Sequence, residues 1–304
     1  MARIHDSFQK MLEVKEPLWL KVETGSGDIE VRQGQEGKLT VFGEFQIRAR
    51  SEEEARRIAE QIKENPPIEI SGDLVRIGNL NRYDLSSWPF GPSAVFDFFI
   101  EAPRETEARL SSGSGDQEIK GLRGPIRTDA GSGDVVIEDA EADVKVDTGS
   151  GDIEVTRVRG GVSADAGSGD IELAEIAGRA AVGVGSGDVC LKGMGSDIAV
   201  DAGSGDIIVE SAIGDHARWA LEAGSGDVSL LLPRDSQFEL RAETSSGDFE
   251  TDFPLIVSGK LGRRVEGQVG GKTKATVRIA TSSGDIKIKA FSSQLSAKKL
   301  TAES

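Results

Sequence analysis

The sequence predicts an all-β chain: a parallel β-solenoid of 18–21-residue coils with one short inserted helix. The first observation is a period. Gly-Ser-Gly-Asp motifs place a marker aspartate at Asp116, Asp134, Asp152, Asp170, Asp188 and Asp206, at intervals of 18 residues, and then at Asp227, with Ser245-Ser246-Gly247-Asp248 following, both at intervals of 21. Related Ser-Gly-Asp signals stand at Asp28, Asp73 and Asp285. The second is the spacing of apolar residues inside each repeat. They fall at offsets 1 and 3 from the marker (Ile153 and Val155, Ile171 and Leu173, Val189 and Leu191), again at 6, and again at 10 and 12. A spacing of two is the strand period, whereas a helix would show three and four. The third is the β-branched bias of those positions, which suits a pleated surface.

Two short strands cannot close a core alone, so identical units stack, each offset above its counterpart, with parallel strands about 4.7–4.9 Å apart. A sandwich of hairpins would instead want turns every 8 to 12 residues or so and no constant register.

Taken in order, residues 1–17 carry Ile4, Phe8, Met11, Leu12 and Val14 at loosely helical spacing before Pro17, and predict an amphipathic N-terminal cap over the first coil. Residues 18–110 hold N-terminal β coils, with Leu18, Leu20 and Val22 alternating ahead of Asp28. Within them, Ser51-Glu52-Glu53-Glu54 is a capping box. Ala55, Ile58, Ala59 and Ile62 follow at helical spacing until Pro66-Pro67, predicting a helix over 52–64 on the solenoid flank. Residues 79–93 form a loop with Trp88-Pro89-Phe90-Gly91-Pro92, either pinned to the body by its aromatics or a binding loop. Residues 111–232 are the regular repeats. Residues 233–290 return to β coils, with a basic, glycine-rich insertion between Phe253 and Lys274 that includes Gly259 and Gly262. Residues 291–304 read as a flexible polar tail.

Gly133, Gly151, Gly169, Gly187 and Gly205 are the expected turn glycines, placed where a coil rounding a corner needs positive φ. The marker aspartates beside them are the metal candidates: Asp116, Asp134, Asp152, Asp170, Asp188 and Asp206. Carboxylates one coil apart repel, so each must be solvated, accept amide hydrogens or meet a cation, with Ca²⁺ the ion to consider. Calcium β-rolls also use Gly and Asp turns, but their Gly-Gly-x-Gly-x-Asp spacing is missing, because the marker Asp directly follows Gly. No other cofactor is indicated.

The net charge is −16, and residues 111–232 hold 9 Lys and Arg against 23 Asp and Glu, so the acidity belongs to the repeats. Such a surface repels nucleic acid and anionic lipid. Cys190 is the sole cysteine, so an internal disulfide is excluded, and at offset 2 it reads as an outward strand residue. His5 and His216 stand alone, with no Gly-x-Ser-x-Gly elbow or His-Glu-x-x-His in the chain. No apolar run of about 18 residues occurs, so no membrane insertion is expected. As given, the chain reads as cytoplasmic, or as surface-associated if a leader is missing.

The segment Phe99-Ile100-Glu101-Ala102-Pro103-Arg104, the serial Ser-Gly-Asp coils, Leu232-Pro233-Arg234 and Thr281-Ser282-Ser283-Gly284-Asp285 together resemble the bacterial DUF4097 family of β-strand-repeat proteins, named "putative adhesins". The resemblance spans roughly residues 18–290 and implies a right-handed parallel β-helix. The expected function is a non-catalytic interaction or scaffold module offering an acidic repeat face to a protein or cell-envelope partner. The alternatives are a self-assembling cytoplasmic scaffold, a calcium-binding β-roll-like protein, and a β-helix enzyme acting on polysaccharides. The expected state is a monomer or an end-to-end homo-oligomer.

Overall fold

The computed structural model describes residues 1–80, 83, 92–257 and 263–291. Most of Trp88-Pro89-Phe90-Gly91-Pro92, Gly259, Gly262 and the tail from residue 292 lie outside the described residues. The chain divides into two compact units, Met1–Gly151 and Asp152–Ser304.

In each unit, two sheets face one another across a core of Val, Ile, Leu and Ala, and each coil gives one strand to each sheet. The expected columns form. Ile153, Ile171, Val189 and Ile207 align through parallel pairing in one sheet of the second unit, and Val162, Ala180, Ile198 and Trp219 align in the other. These side chains are buried, and the residues between them point outward. Burying each larger aliphatic side chain is worth about 1.5–3 kcal/mol, so the columns supply the cohesion of the stack.

The coils do not stack in strict sequence order. In the first unit the coil of residues 18–33 pairs with that of 106–120, in register from Ser26 against Ser114 to Ile29 against Gln117. The residues before and between these coils extend the two sheets outward. Ser93–Ala102, Lys38–Ala49 and Ala2–Glu13 continue one sheet, while Leu74–Ile77 and Ile68–Ser71 continue the other. In the second unit the coil of Asp285 inserts between those of Asp227 and Asp248.

Three sequence expectations are corrected here. Residues 2–13 are a strand, antiparallel to Lys38–Ala49, not a helix. Ile4, Phe8 and Leu12 are spaced by four, and four is also an even number, so one face of a strand collects them equally well. Phe8 lies over Gly43, where an added Cβ would meet its ring at 2.5 Å, and its ring stands 6.4 Å from that of Phe45. Asp73 marks no coil. Gly72 and Asp73 turn a hairpin between Ile68–Ser71 and Leu74–Ile77, with Gly72 at φ 63°. Finally, the helix does not lie on the flank of the coils. It spans Glu52–Glu64 as expected, with Ser51 Oγ accepting from the Glu54 amide at 3.2 Å. It lays Ala55, Ile58, Ala59 and Ile62 against the strands Ala2–Glu13 and Lys38–Ala49. Those strands turn Phe8, Phe45 and Ile47 to the same side as the core residues Phe96 and Phe98, so the helix covers that end of the core.

Candidate functional site: the aspartate ladder and the outward faces

The marker aspartates form a ladder of hydrogen bonds. In the first unit the Asp28 amide donates to Asp97 Oδ1, the Asp116 amide to Asp28 Oδ1, and the Asp134 amide to Asp116 Oδ1, each at 2.9 Å. In the second unit the amides of Asp170, Asp188, Asp206, Asp227 and Asp285 donate at 2.8 Å to Oδ1 of Asp152, Asp170, Asp188, Asp206 and Asp227. The Asp248 amide then donates to Asp285 Oδ1 at 2.9 Å. Each carboxylate thus fastens the neighbouring coil at the corner where the strand ladder ends. Accepting an amide hydrogen is one of the three ways open to stacked carboxylates. Among the described residues, no group of three or more His, Cys, Asp or Glu is placed to hold a metal ion.

Asp97 holds a ladder position without a Ser-Gly before it. Its signal was the apolar, any, apolar triplet Phe98-Phe99-Ile100 that follows. At Asp227 the Lys287 ammonium, 2.7 Å from Oδ2, and then the Asp285 amide hold the carboxyl below the ordinary carboxylate range. The same contact raises Lys287.

The glycines serve close approach more generally than they serve positive φ. Gly169, Gly187 and Gly205 have φ of 133°, 148° and 131°, but Gly133 and Gly151 lie outside that region. What recurs is the neighbour: a Cβ on Gly133, Gly151, Gly187 or Gly205 would sit 2.0–2.2 Å from the carbonyl oxygen of the glycine one coil before. Within the repeats a further column passes through the left-handed region at offset 5, namely Asp139, Arg157 and Glu175 with φ of 57–58°, flanked by Gly121 and Gly193. Their mixed composition hid that column from the sequence.

The outward faces differ in charge. On one sheet of the second unit, register aligns Asp165, Gly183, Asp201, Glu222, Ala280 and Glu243 in a row. The four acids are exposed and make no ion pair with any described residue. The adjacent row is Ser163, Ala181, Ala199, Ala220, Arg278 and Arg241, so small side chains flank much of the acidic row. Beyond Arg241, which pairs with Glu266 at 3.1 Å, an open groove of about 560 Å³ runs beside the 72% exposed Ile256. On the other sheet the charges are mixed, as in Lys192 with Glu172 at 2.7 Å and Lys289 with Glu250.

The groups suited to catalysis belong to different elements. The imidazole of His5 meets the Gln46 amide at 2.8 Å on an outer strand, and His216 sits in the turn that lengthens one coil to 21 residues. Cys190 lies half-buried on an outward row, and burial pushes its thiol up, away from the reactive thiolate. No described helix is long and apolar enough to cross a membrane.

No curated protein matches the chain. Several solved structures resemble it, three of them as follows. A "putative cell adhesion protein" from Clostridium sporogenes is 15% identical, with 95% of this chain and 100% of that one covered and a TM-score of 0.25. A "putative lipid binding protein" from Parabacteroides distasonis is 15% identical, with 93% and 96% covered and a TM-score of 0.48. A "putative adhesin" from Bacteroides fragilis is 11% identical, with 93% and 97% covered and a TM-score of 0.35. The Toastrack DUF4097 profile matches residues 93–175 and again 126–289, taking in most of the coils whose ladder and columns are described above, and the chain belongs to that family.

Proposed function

We propose that this chain is a non-catalytic interaction module, which offers the acidic row of its second unit to a protein or cell-envelope partner bearing basic groups. One observation carries the reading: Asp165, Asp201, Glu222 and Glu243 stand exposed in a row, without ion-pair partners among the described residues. Asp201 and Glu222 are direct neighbours on adjacent strands. Like charges so placed destabilise a sheet by a few tenths of a kcal/mol, and a cationic partner relieves them. The repeats supply the rigidity and the row supplies the recognition. The raised thiol of Cys190 supports a non-catalytic role.

The test neutralises the row with Asp165→Asn, Asp201→Asn, Glu222→Gln and Glu243→Gln, and compares capture of solubilised envelope proteins at low and moderate salt. We expect capture by the parent chain to weaken with salt and to be lost in the row variant. It should survive Glu154→Gln with Glu172→Gln on the other sheet. Equal capture by the parent and the row variant rejects the reading.

A further inference from the structure

The sheets of the two units end on strands of very different length. Ile68–Ser71 has 4 residues, and Leu255–Val257 and Phe249–Thr251 have 3 each, whereas the terminal strand Ala2–Glu13 has 12. Short edges are a standard protection against unwanted pairing, and a long one is a template for it. The register of Ala2–Glu13 on Lys38–Ala49 continues to Val14, whose amide donates to the Gly37 carbonyl at 3.0 Å. Antiparallel pairing uses alternate residues, so the even-numbered residues bond inward and the odd-numbered ones, Arg3 to Glu13, turn their N–H and C=O groups to the free edge. Consistent with this, the Ser7 amide is met by the side chain of Asp6, at 2.9 Å, not by a strand.

We infer that this edge pairs with the same edge of a second copy, as an antiparallel two-fold dimer centred on Phe8. A dyad perpendicular to the sheet pairs only residues whose numbers share parity, which leaves a short set of registers. Centred on Phe8, Arg3 faces Glu13, Asp6 faces Lys10, and Ile4 faces Leu12. Moving the centre to Ser7 sets Ile4 against Lys10 and Asp6 against Phe8, and moving it to Gln9 sets Asp6 against Leu12 and Phe8 against Lys10. Centring on Asp6 or Lys10 opposes like charges. One register therefore satisfies every charge.

The groups that this register uses are available. Arg3, Lys10 and Glu13 make no ion pair with any described residue, and Arg3 lies directly against Arg48, a like charge that Glu13 of the second copy offsets. Asp6 is shared with Lys63 at 3.1 Å and turns from the Ser7 amide when that amide bonds across the dyad. Met11, 61% exposed, is covered by the neighbouring copy at His5. The contact is self-complementary and closes on itself, so it gives dimers, not filaments. It uses none of the residues of the acidic row, so either proposal can fail without the other.

Sedimentation velocity on the full chain across a wide concentration range tests it. The parent mass should plateau at twice the 32.2 kDa of one chain. Arg3→Glu and Glu13→Arg should each weaken the dimer more than tenfold, while the double variant recovers it. Gln9→Pro, which removes an edge amide that the chain itself does not use, should abolish it with an unchanged circular dichroism spectrum. A parent that stays monomeric, a mass that rises without a plateau, a dimer indifferent to Arg3→Glu, or a double variant that fails to recover would each overturn the inference.

Discussion

Replacing Gly187 by alanine probes the coil corner where the account is most demanding. The new Cβ would lie 2.1 Å from the Gly169 carbonyl oxygen, about 0.9 Å inside the closest approach that such atoms tolerate. Both atoms are backbone or fixed to it, so relief comes only by parting the two coils. Two hydrogen bonds span that gap, from the Gly169 amide to the Ser186 carbonyl at 3.1 Å and from the Asp188 amide to Asp170 Oδ1 at 2.8 Å. Parting by about 0.9 Å takes both beyond hydrogen-bonding distance, at about 1 kcal/mol each. The backbone at φ 148° adds about 1 kcal/mol for a residue with a Cβ. The expected loss is therefore about 3 kcal/mol, read as a lowered urea midpoint at constant slope. Gly214→Ala is the control: nothing lies within 4 Å of its added Cβ, and it should change stability by less than about 0.5 kcal/mol. Equal effects of the two substitutions would refute the argument that the glycines exist for coil-to-coil approach.

Three further outcomes follow from named contacts. Ile153→Asp places a charge at a position only 1% exposed, inside an aliphatic column, and should cost several kcal/mol in chemical denaturation, whereas Glu154→Lys, facing outward, should be nearly silent. Glu175→Gly should raise stability by about 0.5–1 kcal/mol in the same assay, because it relieves a non-glycine residue at φ 57°. The Asp227 carboxyl is depressed by Lys287, so its contribution is present above the ordinary carboxylate range and is lost as pH falls through the lowered value. Lys287 is raised, so its share is present below the ordinary lysine range and is lost as pH rises through the raised value. Asp227→Asn should shrink the stability change on both limbs in thermal melts followed across pH, and unchanged limbs would count against the pair.

The parts of this fold written as a repeat were legible. The 18-residue period fixes the column register of Ile153, Ile171 and Val189, and Ser51 with Glu54 fixes the start of the helix. The losses came where sequence order and spatial order part. Nothing local tells that the coil of Asp285 slides between those of Asp227 and Asp248, because long-range parallel pairing is decided by which coil best matches an edge, not by chain position. Ser71-Gly72-Asp73 carries the same three residues as a marker, yet the apolar partners Ile68, Ile70, Val75 and Ile77 close it as a hairpin. Ile4, Phe8 and Leu12 suit either period, and the strand won because Lys38–Ala49 offered a complementary edge over its whole length. Of the site, the aspartates were found, with amide acceptance among the ways open to them, but not the donor, which is the amide of the next marker aspartate one coil away. The acidic row was visible only as net charge until register brought Asp165, Asp201, Glu222 and Glu243 into line.

The central claim is that the Gly-Ser-Gly-Asp motif is stacking machinery, leaving recognition to the outward faces. Residue-resolved amide hydrogen exchange, run once in chelator and once in calcium, tests it most directly. The account predicts that the amides of Asp170, Asp188, Asp206 and Asp227 are protected like the neighbouring strand amides of Ile171 and Val189, equally in both conditions. Marker amides that exchange freely in chelator and become protected only with calcium would contradict it, and would make the ladder a cation site.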